Sequence, residues 1–317
     1  MENNIIDLSL LPPRERHATF FSHFARLTPG NSLVLRNDHD PKPLFYELQA
    51  EHGAGFSWEY LEKGPEIWAV RIGLQSDSPA DESLGQIVAR DMRSISVFKR
   101  YDLDYCCGGK KSLRQACAEK NIDPEEVLTA LERSVDQPHP SRALPYEEWS
   151  LSFLADFIEN THHQYVLKAL PDLVTYAQRV AMAHGEHHPE LDQVKALVMA
   201  SEAELRSHMA KEEQILFPYI RNMERLVKEG NGAPAGGNAW VAQPIRMMEM
   251  EHETVGSNFA QIRQLTGDLA LPEDACTTYR LFFELIDTFE DDLHVHIHLE
   301  NNLLFPKAIS MEKALVP

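Results

Sequence analysis

The residues best able to do chemistry in this chain come as one string that occurs twice. His208-Met-Ala-Lys-Glu212-Glu-Gln-Ile-Leu-Phe217-Pro218 returns as His296-Ile-His-Leu-Glu300-Asn-Asn-Leu-Leu-Phe305-Pro306, an ungapped H-x3-E-x2-[IL]-L-F-P pattern. On an α-helix, residues four apart lie about 40° apart around the axis and about 6 Å along it, so each His and Glu point the same way. Each pair can therefore grip one metal ion. A further His precedes each string at nearly the same interval, His163 before His208 and His252 before His296. Four imidazoles and two carboxylates at repeated spacing exceed what helix packing requires. Structural zinc favours four ligands, usually including Cys, whereas this set is larger, has no Cys and carries two carboxylates able to bridge. Imidazole with bridging carboxylate suits a pair of iron ions, with manganese open as well.

The interval from each leading His to its string amounts to one long helix, a turn and most of another. Each half thus reads as an antiparallel helical hairpin, and two hairpins make a four-helix bundle with inward-facing ligands. Its helix A runs from about Glu147, through a bend at Pro171, towards His184; helix B spans about Glu190 to Glu229. A Gly-rich loop at 230–238 joins the halves. Helix C runs from about Pro244 to Thr266 and helix D from Pro272 past Glu300. His184, beyond the bend, is placed to be a seventh ligand. His187 and His188 fall in an exposed turn before Pro189. His294 and His298 are offset by about 200° from His296 and read as outward-facing, and His162 is likewise turned away from His163. Glu251 and Glu253 flank His252, either supporting it or lining a path to the metals.

Upstream lies a second chemical feature, Tyr101-Asp-Leu-Asp-Tyr-Cys106-Cys107-Gly-Gly-Lys-Lys-Ser112. A disulfide between neighbours is strained, so thiols, thiolates or metal-bound sulfur are its useful states. Lys99, Arg100, Lys110, Lys111 and a nearby helix start predict lowered thiol pKa values. The alternative is a pair of small buried side chains. The glycines and lysines lack the G-x-x-x-x-G-K-[ST] spacing, which excludes a phosphate-binding loop. Around this loop the pattern predicts one helix over Ser83 to Arg100, another over Leu113 to Lys120 capped by Ser112, and a third from Asp123-Pro124 to near Arg133. Cys117 and Cys276 sit on helical faces and are expected in the core. Pro-rich residues 134–145 link this segment to the bundle.

Residues 1–75 read as a small α+β domain. A helix opens at Leu11-Pro-Pro-Arg-Glu-Arg-His17, Ser32 to Arg36 is strand-like, Pro43 to Ala50 suggests a helix, and two alternating strands flank the turn Glu62-Lys-Gly-Pro65. His17, His39 and Asp40 read as solvated turn residues, with a small metal site as the alternative. The domain has no cysteine, which excludes thiol or persulfide transfer there.

Composition narrows the partners. With 49 carboxylates against 30 Lys and Arg, a net charge of −19 repels phosphate backbones and anionic lipid, so nucleic acid and membrane are excluded as partners. The N-terminus lacks a signal-peptide pattern, no apolar run approaches a membrane span, and four cysteines make no disulfide framework. A cytoplasmic protein is expected.

The strings YDLDYCCGGKKSL, HMAKEEQILFP, MEMEHE, ACTTY and HIHLENNLLFP together resemble the RIC family, for repair of iron centres, of the YtfE and ScdA type. The resemblance spans about residues 82 to 312. It implies a mainly α fold, a hemerythrin-like four-helix bundle at 146–317 preceded by a small helical double-cysteine domain at 82–133, and the α+β domain at 1–75 is a departure from the family. LPPRERH and NDHDPKPL make that first domain similar to one of unknown function often fused to hemerythrin-like domains. The family implies two iron ions, oxo- and carboxylate-bridged, held by His163, His184, His208, Glu212, His252, His296 and Glu300. It further implies repair of clusters damaged by nitric oxide or oxidants; the setting of Cys106 and Cys107 in turn fits them to carry iron or electrons. Damaged or apo iron–sulfur proteins are the implied partners, nitric oxide or oxygen the small ligands, and a homodimer stays open. The rival readings are nitric oxide reductase activity, and an oxygen or nitric oxide sensor or carrier.

Overall fold

The computed structural model describes residues 5–27, 31–52, 56–65, 67–74, 78–135, 144–230 and 240–315. Two units divide the chain, Met1–Glu82 and Ser83–Pro317.

In the first unit, alternating side chains build a sheet. Strand β2 (Ser32–Asn37) buries Leu33 and Leu35 and exposes Ser32 and Arg36 on either side of them. Its neighbours are β1 (Ile5–Asp7), parallel, and β4 (Trp68–Leu74), antiparallel; β3 (Phe56–Lys63) closes the order β1-β2-β4-β3. The sequence reading missed β1, because three residues are too few to show a period of two. Helix α1 (Pro13–Phe24) contributes Phe20 and Phe24, and α2 (Lys42–His52) contributes Leu44 and Leu48, to a core shared with Val70 and Ile72. His17 pairs with Glu47 and His39 with Asp38, while Asp40 accepts from the Tyr60 hydroxyl. The three do not converge.

The second unit opens with α3 (Leu84–Arg90) and α4 (Ser94–Arg100), where one continuous helix was expected. Asp91 explains the break. Its carboxylate accepts from the Arg93 backbone N–H at 3.0 Å and from the Arg93 guanidinium, a local bond that competes with the helix ladder. Helices α5 (Leu113–Lys120) and α6 (Pro124–Val135) follow. Ser83 and Ser112 each head a reciprocal capping box, with Gln86 and Gln115, and a bridge between them sets the two helix starts side by side. Cys117 is fully buried there, as expected.

The four-helix bundle is present, and three of its four rods change pitch partway. The first rod is α7 (Leu151–Phe157), a π-helical turn at Ile158–His163, then α8 (Gln164–His184), which runs through Pro171. The second is α9 (Glu190–Lys211), a π turn at Glu212–Leu216, then α10 (Phe217–Lys228). The third, α11 (Ala242–Leu265), is uninterrupted. The fourth is α12 (Thr277–His298), a π turn at Leu299–Leu304, then α13 (Phe305–Leu315). Pro218 and Pro306 stand at the second position after two of these turns. Proline has no N–H to give to the carbonyl four residues back, so the preceding turn widens where each string ends. Such a one-residue excess is invisible to a 3.6-residue count.

Both ends of the bundle are packed. Phe259, Phe282, Ile286 and Phe289 fill the end away from the π turns, each apolar side chain contributing about 1.5–3 kcal/mol on burial. Leu216, Phe217, Leu304 and Phe305, the apolar tails of the two strings, fill the other. Buried Glu224 caps α7 from a distance by accepting from the Leu151 and Ser152 N–H groups. Among the described residues, no helix is long and apolar enough to cross a membrane.

Candidate metal centre

Between those two packed layers the core turns polar. His163, His208, His252, His296, Glu212 and Glu300 are all buried, at 0–2 % exposure. The π turns place His163, Glu212 and Glu300; α9, α11 and α12 place His208, His252 and His296. Their ligand atoms form two groups, His163-Glu212-His296-Glu300 and His208-Glu212-His252-Glu300, which share both carboxylates. Within the first, His163 Nε2 lies 3.1 Å from His296 Nε2 and 3.4 Å from Glu212 Oε2. Within the second, His252 Nε2 lies 2.9 Å from His208 Nε2 and 3.1 Å from Glu300 Oε2.

The outer ring nitrogens decide what those inner contacts are. His163 Nδ1 is 2.8 Å from Glu213 Oε1, and His208 Nδ1 is 2.8 Å from Glu251 Oε2. A carboxylate only accepts, so each Nδ1 carries the proton and each Nε2 turns a lone pair inward. His252 Nδ1 makes the same bond to Asn301 Oδ1 at 3.0 Å. Lone pairs then face lone pairs, and all four oxygens of Glu212 and Glu300 lack a hydrogen-bond partner among the described residues. Each unsatisfied buried acceptor costs about 1–3 kcal/mol, more when charged, so this donor set is unstable without positive charge. Without a cation, protons must supply it. Burial opposes that, but Glu212 and Glu300 hold His163, and Glu212 and Glu251 hold His208, up at about 10. Four imidazoles and two shared carboxylates fit a pair of cations.

Comparison with known proteins agrees with that geometry. Residues 158–308 match the hemerythrin HHE cation binding domain, 80–135 match a domain of unknown function (DUF542), and 5–73 match an uncharacterized conserved protein (DUF2249). The chain is similar to the iron-sulfur cluster repair protein YtfE of Yersinia pestis (strain Pestoides F), 37% identical over 232 residues, covering 73% of this chain and 98% of that one. The YtfE of Yersinia pseudotuberculosis serotype O:1b (strain IP 31758) matches with the same identity and coverage. The chain belongs to the YtfE family. The hemerythrin match implies iron as the cation the bundle binds.

One residue that the YtfE-type resemblance placed in the ligand set stands apart from it. His184 ends α8, 21 residues and thus about 30 Å along the axis from His163. There its Nε2 lies 3.2 Å from Cys276 Sγ and its ring packs near Tyr279. Motif matching carried His184 along by sequence position, and helix length removes it. Cys276, expected in the core, is exposed at the start of α12 instead. His298, expected to face outward, is fully buried against Tyr105, and burial pushes its pKa down to about 4. The helical segment packs on that face of α12, which no helical wheel of the bundle alone could show. His162 is buried too, bonded to Asp292 at 3.0 Å and stacked on His296. Glu251 supports His208, whereas Glu253 is exposed. Sequence reasoning missed Glu213 and Asn301, although each directly follows the shared Glu of its string.

The cysteine loop of this YtfE-family chain lies against the ligand-bearing helices. A Cβ on Gly256, one turn after His252, would sit 3.9 Å from Cys107 Sγ. Asp104 organises the loop, its carboxylate accepting from the N–H groups of Cys106, Cys107 and Gly108 at 3.1, 3.0 and 2.9 Å. The expected thiolate is contradicted at Cys106. Neighbouring Cys107, burial and the Asp104 carboxylate push that thiol well above its ordinary value. The lysines that were to lower it are engaged elsewhere, Lys99 with Asp291, Lys110 with Glu249 and Lys111 with Glu119. Asp104, Cys106 and Cys107 together form the third group of potential ligands among the described residues.

Proposed function

We propose that this protein repairs iron–sulfur clusters damaged by nitric oxide or oxidants, giving up iron from the bundle by way of the cysteine pair. The observation that carries the reading is placement: two ligand groups sharing Glu212 and Glu300, with Cys107 held beside α11 and the Cys106 carbonyl bonded to Asn302. The printed function of the relatives, iron-sulfur cluster repair, supports it. In this reading the six buried residues hold two irons, and iron is the cargo. When bound, iron supplies a labile cation that softer sulfur ligands can accept.

The residues of the chain account for a controlled hand-over. Glu213, Glu251 and Asn301 keep three imidazoles oriented with their lone pairs inward. Cys106 must lose its proton to become a ligand, and its thiol is held by Asp104 Oδ1, 3.2 Å from its sulfur. The thiol thus stays protonated until a cation arriving at the sulfur displaces the proton to solvent. Damaged or apo iron–sulfur proteins are the recipients we infer, and all four cysteines being free suits a reducing, cytoplasmic setting.

The test is an anaerobic repair assay on a nitric oxide-treated iron–sulfur protein, following recovery of its activity, with wild type and a Cys106→Ser/Cys107→Ser variant. Repair should fall to background in the variant while its bundle keeps wild-type iron. Full repair by the double variant would remove the cysteines from the pathway. The shared carboxylates favour a second reading, reductive coupling of nitric oxide at paired irons. Nitrous oxide formed in multiple turnovers, with iron retained, would select it over donation.

A further inference from the structure

Asn302 belongs to neither the metal ligands nor the cysteine pair, yet it touches the surroundings of both. It lies two residues after Glu300, inside the same π turn, and follows Asn301, the acceptor of His252 Nδ1. Its amide Nδ2 donates to the backbone carbonyls of Tyr105 at 3.2 Å and Cys106 at 3.1 Å, and lies 3.2 Å from His298 Nδ1. Two glycines make room for this side chain. A Cβ on Gly85 would stand 2.7 Å from the Asn302 amide, and one on Gly109 would overlap it outright. Those glycines are themselves joined, Gly85 N–H to Gly109 carbonyl at 2.9 Å, so the socket is a built part of the cysteine loop.

We propose that Asn302 is a positioning residue that ties the Cys106–Cys107 loop to the metal-ligating turn, so that metal occupancy is felt at the cysteine pair. The coupling is mechanical. A cation fixes Glu300 and His252, hence the turn that carries Asn301 and Asn302; without it, that turn keeps unsatisfied carboxylate oxygens and is less firmly held. Asn302 then passes the difference to the carbonyls flanking the cysteines. A loaded site holds the loop closed, and an emptied one frees it. The inference needs the bundle to bind a cation but does not depend on iron reaching a cluster.

Thiol labelling tests it on the full chain. Cys107 is half-buried in the loop, whereas Cys117, in the core of the same unit, reports unfolding. Iodoacetamide labelling with peptide mapping would compare metal-free protein with protein given two equivalents of iron(II) anaerobically. In the wild type, loading should slow Cys107 labelling about tenfold, the worth of two hydrogen bonds to the loop. Asn302→Ala, and Asn302→Asp, which keeps the shape but loses the donors, should label at the fast rate in both states with Cys117 protected. Three results overturn the proposal. One is a wild-type rate indifferent to iron. Another is an Asn302 variant still slowed by iron, which would mean that the cysteines bind it directly. The third is Cys117 becoming reactive together with Cys107, which would make Asn302 merely part of the core.

Discussion

The two halves of the bundle present the same ligands and differ one atom further out. His163 and His252 correspond in the repeat, yet the first donates to a carboxylate, Glu213, and the second to an amide, Asn301. His208 and His296 also correspond. His208 donates to Glu251, the residue before His252. The residue before His163 is His162, whose ring stacks on His296 at 5.8 Å instead of accepting from it, and His296 Nδ1 has no partner among the described residues. A carboxylate behind an imidazole raises its basicity and fixes its orientation. The His208–His252 group therefore has both rings backed, and the His163–His296 group only one. A repeated motif makes two sites alike in ligands without making them alike in strength.

The largest effects should come from the residues that both halves share. Glu212→Ala or Glu300→Ala should cost the protein both irons, measured as metal per chain, because each carboxylate belongs to both groups. Retention of one tightly held iron in either variant would break the picture of shared ligands. His163→Ala and His208→Ala should each lose one iron and keep the other, and the iron kept in His163→Ala should be the harder one to chelate. Equal chelation rates in the two variants would make the halves equivalent after all.

Smaller changes sharpen the same contrast. Glu251→Gln should weaken one iron by about 10- to 100-fold, as loss of an anionic partner behind a metal-bound imidazole does. His162→Phe keeps a ring against His296 and should leave both affinities near wild type; a loss as large as that of Glu251→Gln would show that His162 supports its neighbour by more than stacking. Finally, metal must displace the protons that His163 and His208 hold up to about 10, above their ordinary 6.5. In metal-free protein their stabilisation is complete below pH 6.5 and lost as pH rises through about 10. Iron affinity should accordingly climb between those limits, with about two protons released per chain at neutral pH, measured by calorimetry in buffers of different ionisation enthalpy. Affinity flat across that window would mean that the rings are already neutral.

Much of this was legible in the chain itself. The i, i+4 spacing of His208 with Glu212 and of His296 with Glu300 is a local property of a helix, so the repeat alone announced a bundle and its inward face. Capping at Ser112 was equally local, as was the strand pattern around Leu33 and Leu35. Tertiary structure decided whatever depended on another element. Only packing of α12 against the cysteine loop buried His298, and only the run of α8 as one helix through Pro171 carried His184 away from the ligands. Glu249 and Asp291, remote in sequence, took the lysines from the cysteines, and Cys107 and burial, joined by the Asp104 carboxylate, keep Cys106 a thiol. The backing of each imidazole by Glu213, Glu251 or Asn301 was likewise beyond a periodic reading, because a hydrogen bond between rods depends on their relative rotation, which the π turns reset.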